Sequence, residues 1–157
     1  MNVEGVFGLY NYCLENVLFS GPTYFAPLIK KAIEHCEKLY EEDRSNYTVL
    51  LILTDGSIHD MNETVDLIVG CGDLPISFII VGVGQEDFRF MEKLDNDDMS
   101  LRDSEGRLAW RDCVQFVPFR NFDEEGELAR TVLFEVPAQI LEFLENNGML
   151  ERFDSEV

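Results

Sequence analysis

Residues 47–56 read YTVLLILTDG, with six apolar side chains in the seven positions from Tyr47 to Leu53, followed by Thr54, Asp55 and Gly56. A run this apolar has no polar alternate face, so it reads as a strand of a parallel sheet, buried on both sides by helices. The pattern predicts a central strand with Asp55 at its carboxyl end. In open α/β sheets that edge carries the ligand-binding loops, because the strands beneath them stay rigid.

Outward from this strand, apolar periodicity sets the other elements. Val3, Phe7, Tyr10, Leu14 and Val17 recur at helical spacing, ahead of the break at Ser20-Gly21-Pro22-Thr23. A second helix carries Phe25, Leu28, Ile29, Ala32, Ile33, Cys36, Leu39 and Tyr40 on one face, and Thr23 stands where a hydroxyl can cap its first amides. Asp60 or Asn62 is suited to cap a helix ending near Val69 and stopped by Cys71-Gly72-Asp73. ISFIIVGVG from Ile76 to Gly84 is a second buried strand, and Phe88, Met91 and Leu94 mark a short helix after it. Asp95 to Arg107 reads as a surface loop, and Val114 to Val117 as a third strand. A long helix then begins near Asp123 and is kinked or divided by Pro137. Strands alternating with helices define an α/β domain with parallel crossovers.

The chain of 157 residues holds 31 acidic and 12 basic side chains, a formal net charge of −19. Such a surface repels phosphate, which argues against nucleic acid and against direct binding to anionic membranes; cations are its natural small ligands. The four cysteines, at 13, 36, 71 and 113, form no C-x-x-C pair and read as reduced core thiols. The amino-terminal residues lack a signal-peptide pattern, so the expected location is the cytoplasm. Without such a signal, the sequons Asn46-Tyr47-Thr48 and Asn62-Glu63-Thr64 read as chance matches.

Several chemical motifs fail on their own terms. Gly82-Val83-Gly84 has Asp87 where a dinucleotide fingerprint needs a third glycine. Asp95-Asn96-Asp97 opens like a calcium loop, but Ser100 and Gly106 occupy positions that require glycine and glutamate. Asp55, Ser57, His59 and Asp60 share one loop, an arrangement that invites a hydrolase reading, yet no G-x-S-x-G elbow accompanies them. What remains is a hard-cation site: a strand-end aspartate with a threonine hydroxyl from another loop, completed by water.

GPTYFAPLI, VLLILTDGSIHDMNET, LPISFIIVGVG-x-x-DF-x-x-M, RDCVQFVPFRNF and VLFEVPAQILEFL, in this order, resemble the C-terminal A-domain of copines, a relative of von Willebrand factor A-type and integrin inserted domains. The resemblance runs from about Gly5 to Leu150. It implies a partial doubly wound, Rossmann-like parallel sheet with flanking helices, spanning residues 1–150, with 151–157 as a disordered tail. It also implies a metal-ion-dependent adhesion site at the carboxyl edge. Of the three family motifs for that site, Thr23 in Gly21-Pro22-Thr23 matches the G-x-T loop and Asp55 in Thr54-Asp55-Gly56 matches the aspartate turn. The D-x-[ST]-x-[SN] loop has no counterpart, since Asp98-Met99-Ser100-Leu101-Arg102 differs in its last position and in context.

By resemblance the chain therefore begins after the A-domain's first strand and first metal loop, and it lacks the two C2 domains that give copines calcium-dependent phospholipid binding. The implied function is a non-catalytic protein-interaction module. Magnesium or manganese would bind weakly or not at all, with calcium relevant at the family level. Target proteins are the expected partners. Peripheral membrane association would come only through other domains or partners. The strand at Tyr47 to Thr54 would present a free edge open to self-association. The alternative is the substrate-binding part of a copine-like RING ubiquitin ligase, whose zinc-binding C-x-x-C pairs this sequence does not contain.

Overall fold

A computed structural model of the chain describes residues 2–95, 101–122 and 125–149. Among the described residues six helices and three strands follow one another as α1 (Val3–Asn16), α2 (Ala26–Glu42), β1 (Thr48–Thr54), α3 (Met61–Gly70), β2 (Ile76–Gly82), α4 (Arg89–Leu94), β3 (Val114–Pro118), α5 (Glu125–Val132) and α6 (Val136–Asn146). A 3-10 turn at Phe119–Asn121 follows β3. The strands form one parallel sheet in the order β1-β2-β3, so each crossover passes through helical chain as the alternating pattern requires. This is the α/β architecture read from the sequence.

Strand register sorts the side chains into two layers. Leu50, Ile52, Phe78, Ile80, Val114 and Phe116 share the face that packs with Ile29 and Cys36 of α2, Val65 and Ile68 of α3, and Met91 and Leu94 of α4. On the opposite face, Ser77 donates to Gln139 of α6 at 2.6 Å, and Gln115 donates to the Thr131 carbonyl of α5 at 2.9 Å. Ser77 Oγ and Gln115 Nε2 are thus paired across the layer, whereas Gln115 Oε1 and Gln139 Nε2 are buried without a hydrogen-bond partner among the described residues. Phe143 of α6 meets Tyr47 and Tyr40 edge-on, at centroid distances of 6.0 and 6.1 Å. Pro137 lies in the first turn of α6, where a missing N–H costs nothing, so the carboxyl-terminal helix is divided and not kinked.

Three expectations change. β1 is an edge strand, not a central one, and is not buried on both faces: Val49, Leu51 and Leu53 are 43%, 55% and 67% exposed, while every residue of β2 is buried. The reason is positional, since α5 and α6 cover the sheet at β2 and β3 and nothing described lies over that face of β1. The apolar stripe of α1 is likewise exposed; its amino end is capped by Asn2, which accepts from the Gly5 amide at 3.0 Å, but none of its residues is buried. Of the four free thiols, Cys36, Cys71 and Cys113 are in the core and Cys13 is exposed on α1. Residues 96–100, the start of the last helix at Asp123 and the segment 151–157 lie outside the described residues, and with them most of the rejected Asp95-Asn96-Asp97 and Asp98-Met99-Ser100 motifs.

Candidate functional site

The turn after β1 is built on Thr54, Gly56 and Phe88, and Asp55 within it faces solvent. Thr54 is buried; its hydroxyl accepts from the Gly56 amide at 3.1 Å and its carbonyl accepts from the Val83 amide at 2.7 Å, which carries the β1-β2 ladder past the strand ends. Gly56 has φ +103°, and a Cβ there would lie 2.8 Å from the Phe88 ring. Both the backbone conformation and the ring exclude a larger residue. Phe88 is itself held by Phe116, at a centroid distance of 5.4 Å, with the Arg120 guanidinium 5.0 Å from its ring. Asp55 is exposed, and its Oδ1 accepts from the Ser57 amide at 3.3 Å.

Beyond the turn, buried Ile58 anchors a segment that reaches across to the Gly21–Ala26 loop, whose Gly21–Pro22 peptide is cis. The His59 amide donates to the Thr23 carbonyl at 3.0 Å, and the Thr23 amide donates to His59 Nδ1 at 3.1 Å. Asp60 then accepts from the Phe25 amide through Oδ1 at 3.0 Å and from the Ala26 amide through Oδ2 at 2.8 Å. A carboxylate taking two free amides at a helix start satisfies orphan donors and complements the positive end of the helix. Asp60, and not Thr23, therefore caps α2. Asp60 also stands at the cap position of α3, where it contributes only its carbonyl, accepting from the Thr64 amide at 2.9 Å.

Thr23 and Asp55 are thus placed on two loops that the fold ties together at the carboxyl edge of the sheet. Both side chains are exposed, the ties run through the Thr23 backbone, and no hydrogen bond among the described residues joins Thr23 to Asp55 directly. An open groove of about 290 Å³ beside them is lined by Gly56, Ser57, Ile58, His59, Glu86, Asp87 and Phe90. Arg89 bonds to Asp87 at 2.6 Å and holds that carboxyl below its ordinary range. With Asp60 and Asp87 engaged, the donors left for a cation are the carboxylates of Asp55 and Glu86 and the hydroxyls of Thr23 and Ser57. Among the described residues no group of three or more His, Cys, Asp or Glu side chains is placed to hold a metal. A hard cation held by these groups would have water completing its shell.

The cross-loop roles of His59 and Asp60 were not legible from the sequence, because their partners lie 36 and 34–35 residues away. The nucleophile reading of that loop also finds no geometry: among the described residues no hydrogen bond joins Ser57 to His59, whose Nδ1 is directed to Thr23.

A parallel sheet whose carboxyl edge presents a T-D-G turn beside a G-P-T loop defines an A-type α/β domain. The copine family model matches residues 1–152, and the chain belongs to the copine family. It is 41% and 40% identical, over 97% of its length, to nicotinic receptor-associated protein 1 of Caenorhabditis briggsae and of Caenorhabditis elegans. It is 43% identical over 94% of its length to Copine-C of Dictyostelium discoideum. It spans only about a quarter of these relatives, 26%, 26% and 28% of their lengths.

Proposed function

We propose that this chain is a non-catalytic protein-interaction module whose recognition surface is the carboxyl edge of the sheet, with Thr23 and Asp55 at its centre. The observation that carries the proposal is the double tie between the two loops, His59 to Thr23 and Asp60 to the start of α2, which presents exposed Thr23 and Asp55 on one rigid edge. Preorganised loops on a fixed scaffold bind without the cost of ordering. The name of two relatives, nicotinic receptor-associated protein 1, supports protein targets as the ligand class. Contact is largely metal-independent, because no three acidic, His or Cys side chains of the described residues converge there and a magnesium or manganese ion would keep mostly water around it. The net charge of −19 favours basic partner surfaces and disfavours bare anionic lipid. No helix among the described residues is long and apolar enough to cross a membrane.

The test is surface plasmon resonance of the immobilised chain against solubilised nicotinic receptor, in magnesium, in manganese and in EDTA, with Asp55→Ala and Thr23→Ala variants. The expected result is binding that survives EDTA and falls at least tenfold in Asp55→Ala. Binding that is abolished by EDTA, with calorimetric manganese affinity lost in Asp55→Ala, would replace the metal-independent reading by a metal-mediated one. Binding unaffected by either variant would remove the carboxyl edge from consideration.

A further inference from the structure

The loop between α2 and β1 and the last turns of α6 enclose a groove of about 320 Å³ at the amino edge of the sheet, the edge opposite Thr23 and Asp55. Most of its lining is apolar. Tyr47 and Phe143 meet edge-on at 6.0 Å, Ile140 and Leu144 extend the α6 side, and Met149 completes the wall. Met149 reaches this position because Gly148 takes φ +64°, a left-handed turn that glycine makes without strain. The Met149 amide then donates to the Leu144 carbonyl at 2.8 Å, and Tyr40 Oη donates to Met149 Sδ at 3.8 Å. The polar remainder comes from the α2–β1 loop. Ser45 gives both its hydroxyl and its amide to the Asp43 carboxylate, each at 2.8 Å, so those groups are engaged with one another. Asn46 is fixed by donating through Nδ2 to the Leu39 carbonyl at 2.9 Å, which leaves it a second amide hydrogen. Arg44 is exposed, and its guanidinium carbon lies 4.4 Å over the Tyr40 ring, a contact that uses none of its N–H donors.

We propose that this groove binds a small monocarboxylate with an apolar tail, the carboxylate on Arg44 and the free amide hydrogen of Asn46, the tail against Tyr47, Ile140, Phe143 and Leu144. The sign of the ligand follows from the lining. In a chain of 31 acidic and 12 basic residues, no acidic side chain among the described residues lines the groove, and Arg44 there makes no ion pair or side-chain hydrogen bond. Its planar fork of N–H donors matches a carboxylate two bonds at a time. The nearby carbonyl end of α2 does not compete, because the Leu39 carbonyl already accepts from both the Asp43 amide and Asn46. A mostly apolar recess with a few convergent polar groups is the common form of a small-molecule site. The size of the ligand follows from the volume, which equals that of roughly ten water molecules and suits an acid of about eight carbons. With so few heavy atoms, and with the field of a −19 chain opposing any anion at long range, the expected dissociation constant is on the order of millimolar.

The experiment titrates the whole chain, carbon-13-labelled at its methionine and isoleucine methyls, with octanoate and with octan-1-ol, and reads the methyl shifts by NMR. Octanoate should move the Met149 and Ile140 signals saturably. Octan-1-ol, which has the tail without the charge, should bind about tenfold more weakly, and butanoate, which has the charge with a shorter tail, at least about tenfold more weakly. Arg44→Gln changes an exposed side chain; it should reduce octanoate to the affinity of the alcohol and leave the alcohol unchanged, which separates lost charge from lost shape. Absence of a saturable shift at millimolar octanoate, equal affinity for acid and alcohol, or octanoate binding that survives Arg44→Gln overturns the proposal.

Discussion

β1 and β2 are near twins in sequence, TVLLILT against ISFIIVG, and opposites in the fold. β2 is hydrogen-bonded on both sides and buried over its whole length. β1 pairs on one side only, and its alternate residues Val49, Leu51 and Leu53 become more exposed toward the carboxyl end, next to Asp55. Hydrophobicity thus states what a strand can be buried against, while the neighbouring layers decide whether it is. An apolar half-face open beside the Asp55 turn is unusual for a surface that stays alone, and an uncharged edge strand is a template for pairing.

The largest expected effect lies on β2. Phe78→Ala removes a ring with no exposure from the middle of the core and should cost about 3–5 kcal/mol in chemical denaturation; a loss below that range would mean that the sheet collapses around the cavity and that β2 is less constrained than its burial implies. An intermediate effect belongs to the loop that continues β1. Asp60→Ala leaves two amides of α2 without their carboxylate and should cost about 0.5–2 kcal/mol. The same variant should weaken the partner binding proposed above, because the Gly21–Ala26 loop loses one of its ties. The smallest effect is expected on the open face: Leu51→Ser should change stability by no more than about 0.5 kcal/mol while reducing self-association in sedimentation velocity. A Leu51→Ser cost comparable to that of Phe78→Ala would erase the distinction between the strands and show that the face is covered in solution.

Much of the architecture was readable from periodicity alone. The strand at Ile76, the inward set Phe88, Met91 and Leu94, and the stop at Cys71-Gly72 each depend on neighbours within a few residues, and each appears where the pattern placed it. Long-range partners were not readable. Thr23 looked like a cap because its type and position suit one, but the cap comes from Asp60, whose contribution depends on how two distant loops meet. The same holds for the exposed face of β1, since no feature of the TVLLILT run reports which helices will lie over it. Arg111 shows the limit most plainly: its carbonyl partners lie 35–39 residues away, and it is almost wholly enclosed by them and by the rings of Tyr47 and Phe143.

The tie from Asp60 to the start of α2 has a mechanical side. A helix of 17 residues is a rod about 25 Å long, and this one is gripped at its tip by the loop that presents Asp55. Its far end carries Tyr40, which rests on Phe143 of α6 across the sheet. A load applied to the Asp55 loop is thereby delivered, through a stiff lever, to the opposite pole of the domain.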